Sequence, residues 1–222
     1  MRNDIQKYFE PNEGAFYETN NGDKRCRSIH NKYDNTRINK AIEQSNLPPV
    51  PISKVISYVN ELLELIKLKN GIKSKTVQVK TIELDKVNQF IIDNGIITIN
   101  CNWDLPVYDE NKKEYTYWDS KYDIIKKEFN LKYPNDIVWI KFTTDGHVGV
   151  VAKSFDINFD YTTTSGKLVK KVNHEWNTSF VLLFPLTHDI LNQYTKESIE
   201  TAIGNYLIEK KVPIIDFYSH NY

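Results

Sequence analysis

The hydrophobic pattern changes period along the chain. Between residues 134 and 185, short apolar and β-branched runs (IVWIKF, HVGVV, FDINFDY, KLVKKV, SFVLLF) are separated by Asp-Gly, Ser-Gly and Asn-rich turn signals. This stretch reads as an antiparallel β-meander of four or five strands in one sheet. Within it Phe155, Ile157, Phe159 and Tyr161 alternate with Asp156, Asn158 and Asp160, so a two-residue period turns the aromatics to one face and the acidic and amide groups to the other. Upstream the period becomes helical. Helical patterning begins at Asn35, and beyond the LPPVP break Ile52, Val55, Ile56, Val59, Leu62, Leu63 and Ile66 share one stripe, predicting a helix over 51–69. Pro51 suits its first turn and Asn70-Gly71 its end. Val59 and Leu62 are expected to lie buried against the sheet.

The remaining segments fill in an α+β fold. Val77 and Val79 read as a short strand, LDKVNQFIIDNG as a helix stopped by Gly95, and IITINCNW (96–103) as a strand. A charged hairpin-like segment, LPVYDENKKEYTYWDSK, precedes a short helix, YDIIKKEFN. Past the meander, Thr195 can cap a helix striped by Ile199, Ala202, Ile203, Tyr206 and Leu207, and 212–218 reads as a terminal strand. The expectation is a single domain, 1–222, in which helices pack on the meander sheet. It comprises an irregular N-terminal arm (1–34) anchored by Phe9, Phe16 and Tyr17, a helix-rich part with short strands (35–133), the meander (134–185), and a C-terminal helix with its terminal apolar run (186–222).

Composition narrows the function classes. A chain of 222 residues can bury a core without staples, and its two cysteines, Cys26 and Cys101, make no disulfide framework and suit a reducing interior. The opening MRNDIQKYFEPNEG has no apolar core of a signal peptide, and no run has the ~18 apolar residues of a membrane span, so a cytoplasmic protein without membrane association is expected. Lys plus Arg equals Asp plus Glu, 29 each, so no global field draws the chain to nucleic acid; only the local basic loop of Lys24, Arg25 and Arg27 could do so. Arg25 and His30 meet the Arg-x4-His spacing of HEPN-type ribonucleases, which are all-helical.

Three chemistries can be set against these residues. PNDIVWIKFTTDGHVGVV resembles the strand-turn-strand of NlpC-type and CHAP papain-like hydrolases, where the catalytic histidine opens the second strand, and NCNW resembles the CHAP cysteine motif. That resemblance implies Cys101 as nucleophile and His147 as base. The order Trp139, Asp145-Gly146, FDINFDY, Trp176 and a strand ending at Pro185 is similar to small cytoplasmic bacterial immunity proteins that neutralise LXG-type nuclease toxins. It implies an antitoxin without catalysis that occludes a basic protein partner through Asp156, Asn158, Asp160, Trp139 and Trp176. This is the leading reading. Asp119-Ser120-Lys121, with Asp104 or Asp109 upstream, has the form of a metal-dependent PD-(D/E)xK nuclease. Asp156-x-Asn158-x-Asp160 has Tyr161 where a calcium loop needs Gly, His174-Glu175 and His188-Asp189 miss the HExxH spacing, and no Gly-rich phosphate loop is present. No cofactor and no metal is therefore expected.

Overall fold

The computed structural model describes residues 5–31, 34–70, 81–84, 87–92, 96–100, 107–109, 114–116, 132–133, 136–153, 159–178, 180–186 and 188–222. The fold is α+β, organised on a seven-stranded mixed sheet. Its strands are β3 (Thr81–Leu84), β4 (Val87–Ile92), β5 (Ile96–Asn100), β8 (Ile137–Phe142), β9 (Val148–Ala152), β10 (Phe180–Pro185) and β11 (Ile214–Asp216). They run in the order β11-β9-β8-β10-β5-β4-β3, antiparallel except for the parallel pair β11 and β9. Two small hairpins stand apart: β1 (Phe16–Glu18) with β2 (Lys24–Cys26), and β6 (Val107–Asp109) with β7 (Glu114–Thr116).

Both faces of the central strands are buried, which is why they read as nearly unbroken apolar runs. In β8, Val138, Ile140 and Phe142 point to one core while Ile137 and Trp139 point to the other. The first core is closed by α2 (Ile52–Lys69) and α5 (Lys196–Glu209), with Val59 and Leu62 buried as expected. On the second face lie Ala41 of α1 (Thr36–Ser45) and Leu168 and Val169 of α3 (Thr164–Lys171). A short helix, α4 (His188–Leu191), precedes α5, whose Thr195 hydroxyl accepts the Ser198 N–H as the sequence expected. Among the described residues no helix is long and apolar enough to cross a membrane.

Three expectations change. The run KLVKKV (167–172) is not a meander strand but falls in helix α3 and its C-cap Val172: Thr163 accepts the Gly166 N–H as the N-cap, and Leu168 and Val169 bury one side. Residues 154–158 of the expected FDINFDY strand lie outside the described residues; among those described the meander reduces to the β8–β9 hairpin, and β10 returns on the far side of β8, between it and β5. The segment LDKVNQFIIDNG contains β4 and not a helix, because its Val and Ile residues favour a pleated surface and both edges of β4 are paired, to β3 and to β5. Lastly, the N-terminal arm contains two 3-10 turns and a hairpin, and it is docked. Ile5, Tyr8 and Phe9 enter the core, Phe9 stacks on Tyr194, and Asn205 donates to the carbonyls of Tyr8 and Glu10. Phe16 and Tyr17 are half-buried.

Candidate functional site

The site is built on the turn that joins β8 to β9. Gly146 donates its N–H to the Thr143 carbonyl and takes a positive φ of 93°, and Thr143 donates in turn to the carbonyl of His147. A hairpin closed this way needs a residue without a Cβ at that corner. The turn projects Asp145 and His147 to the same side. Gly149 then lies under the indole of Trp176, whose ring a Cβ there would meet at 2.3 Å.

A third residue arrives from beyond α3. Asn173, at φ 60°, ends that helix: its N–H bonds to Lys170 O and the N–H of His174 to Val169 O, the paired bonds of a Schellman motif. The chain then runs antiparallel to the end of β8, bridging Thr143 with Trp176. Two residues further along each side of that register are Asp145 and His174.

The three side chains meet there. Asp145 Oδ2 is 2.8 Å from His147 Nδ1 and its Oδ1 is 2.9 Å from His174 Nδ1, with the Thr143 hydroxyl donating to Oδ1 at 2.6 Å. The two imidazoles stand edge to face, with centroids 4.9 Å apart. On its other side His147 donates from Nε2 to the Leu47 carbonyl at 2.7 Å, in the loop between α1 and α2. A neutral imidazole donates from one nitrogen only. With Nε2 committed to a carbonyl, Nδ1 faces the Asp145 carboxylate at hydrogen-bond distance. Burial works against ionisation of Asp145, but the Thr143 and His174 hydrogen bonds and the charges of His147 and His174 outweigh it and bring its carboxyl down to about 2. His147 is buried at 5% side-chain exposure, whereas Asp145 keeps 47%.

The residues singled out in the sequence fare differently. Cys101, Asp156 and Asn158 lie outside the described residues, as do Asp104, Asp119, Ser120 and Lys121, the strand at Val77 and Val79, and the helix YDIIKKEFN. Asp160 is exposed and accepts the N–H and hydroxyl of Thr162, just ahead of α3. Trp139 and Trp176 are each 3% exposed, so they do not face a partner: alternation along β8 and the bridge to Thr143 turn both rings into the second core. Lys24 and Arg25 are exposed, but Arg27 turns inward to the Gly14 carbonyl and Asp34. Asp145 and His174 were not singled out as site residues. Their signal was an Asp-x-His turn facing a histidine at a helix end, and it becomes visible only once 164–171 is a helix.

No family model, no curated protein and no solved structure matches this chain.

Proposed function

We propose that this chain acts by binding a basic protein partner without catalysis, in the manner of an immunity protein that occludes a nuclease toxin. The observation that supports this over the hydrolase alternative is the commitment of His147. Its Nε2 donates to the Leu47 carbonyl and its Nδ1 faces the Asp145 carboxylate, so a thiol would have to displace Asp145 to reach the Nδ1 lone pair. The binding reading rests on the acidic stretch that ends at exposed Asp160, where complementary charge would steer a basic partner.

The test is a double variant, Asp156→Asn with Asp160→Asn, assayed for association with a panel of inactivated LXG-type nuclease domains. Asn still accepts the Thr162 N–H, so folding should hold. The on-rate should fall about tenfold at low salt and converge with the unaltered chain as salt rises. Peptide or acyl hydrolysis that vanishes in both Cys101→Ala and His147→Ala would overturn the proposal in favour of the hydrolase, and an on-rate indifferent to charge would remove the acidic surface.

A further inference from the structure

We propose that Asp145, His147 and His174 form a site for one divalent transition ion of the zinc type, bound by Nδ1 of each imidazole and one carboxylate oxygen. This departs from the sequence expectation of no metal, and it stands independently of partner binding.

The donor set decides the class of ion. Two imidazole nitrogens and one carboxylate suit zinc and its neighbours in the first transition row, whereas calcium and magnesium take oxygen ligands. His147 is already oriented as a ligand. Its Nε2–H is fixed on the Leu47 carbonyl, which selects the tautomer whose Nδ1 lone pair points to the site. That outer bond is the kind metal-bound histidines habitually make.

The geometry is close to what an ion requires. The three ligand atoms lie within 4.8 Å of one another. A tetrahedral ion with bonds of about 2.0–2.1 Å needs edges of about 3.4 Å, so binding draws the histidines together and opens the short Asp145 contacts slightly. The side chains that must move are the freer ones. Asp145 is 47% exposed and His174 15%, while buried His147 provides the fixed point. The backbone carrying them is held by the β8–β9 turn and by the Schellman motif of α3. Coordination positions beyond the three ligands fall on the exposed side of Asp145 and go to water. The bound ion would join three segments far apart in sequence: the β8–β9 turn, the chain after α3 and, through His147, the loop carrying Leu47.

The test separates a metal site from a hydrogen-bonded bridge. His174→Asn places an amide N–H near the position of Nδ1, so it can still donate to Asp145, but an amide is a poor ligand for zinc. The full chain, treated with chelator and dialysed, is titrated with Zn²⁺ by calorimetry at neutral pH, and with Co²⁺ while visible absorption is followed. One Zn²⁺ per chain is expected, together with the cobalt bands of a four- or five-coordinate ion. His174→Asn should weaken Zn²⁺ binding about 100-fold and abolish the bands, with the urea midpoint of the metal-free chain unchanged. Should that variant fail to fold, Asp145→Asn at the half-exposed carboxylate makes the same comparison. Zn²⁺ bound no more tightly by the unaltered chain than by these variants, or cobalt without bands, would overturn the site and leave Asp145 as a bridge between two imidazoles.

Discussion

Glu200 gives the sharpest prediction about stability. It sits on α5 at 9% exposure, and burial raises its carboxyl from an ordinary 4.5 to about 8; Lys153 opposes that rise while Glu197 and Asp216 add to it. In the folded chain Glu200 is therefore neutral near pH 7, whereas in the unfolded chain it is ionised. The unfolded state then binds fewer protons, so this group's stabilising contribution is complete below pH 4.5 and is lost as pH rises toward 8. His220 acts in the opposite sense. Burial lowers it from 6.5 to about 4, partly offset by its bond to the Ile214 carbonyl, so its contribution is complete above 6.5 and lost as pH falls toward 4. The two overlap below pH 6.5. Above it, Glu200 stands alone.

The magnitude follows directly. Each unit of pH costs about 1.4 kcal/mol while one proton separates the two states, so the interval from pH 6.5 to 8 and its tail amount to about 2 kcal/mol. Urea unfolding followed by tryptophan fluorescence at pH 6.5 and 8.5 should show that loss. Glu200→Gln keeps the shape and cannot ionise, so it should remove most of the slope and be the more stable chain at pH 8.5. Parallel pH profiles for the two proteins would show that Glu200 is ionised in the fold, and the reasoning from burial would be wrong.

Two further changes probe the packing that positions the site. Leu62→Ala, at a fully buried position on α2, should cost about 2–5 kcal/mol in denaturant unfolding; a change within about 0.5 kcal/mol would mean that the stripe does not pack on the sheet. Gly149→Ala drives a methyl into the Trp176 indole and should cost about 1–3 kcal/mol, read by the same assay; a neutral result would mean that Trp176 can leave its place beneath the turn.

The sequence disclosed the elements whose signal is local. The stripe of α2, the Thr195 cap of α5 and the apolar runs of β8, β9 and β10 were all legible because one period or one capping residue suffices to specify each. Errors arose where two readings share the same residues. In 164–171 an alternation of Lys with Leu and Val fits a short strand, and only the Thr163 cap and the Asn173 end decide for a helix. In 87–92 a pattern compatible with a helix gave way to pairing on both strand edges, a contact that sequence spacing does not reveal. The candidate site was half legible for the same reason. His147 drew attention as a possible base, but its partners Asp145 and His174 are joined by strand register and a helix end, both of which depend on the element read wrongly.

The interior placement of the tryptophans changes what kind of binding surface this chain can offer. Lys141 is 2% exposed, and its ammonium lies 4.2 Å from the Trp176 ring centroid, 5.1 Å from that of Trp139 and 5.3 Å from that of Phe159. Aromatic faces stabilise a cation at such distances, the more so when it is desolvated. The aromatic spacing that resembles a binding face along 139–176 thus houses a lysine in the sheet. Its charge extends outward: the Asp160 carboxyl is lowered chiefly by the Thr162 hydroxyl, and Lys141 adds to that effect. A partner meeting this region would find exposed carboxylate above a buried aromatic cage, with no Trp or Tyr anchor from the cage to insert into a pocket. Interfaces anchored by such rings draw their strength from slow dissociation, whereas charge at an exposed rim acts mainly on the rate of encounter. Removing the Trp176 ring should therefore lower the stability of the fold, while neutralising Asp160 should, under the proposed binding function, lower only the rate of association with a basic partner.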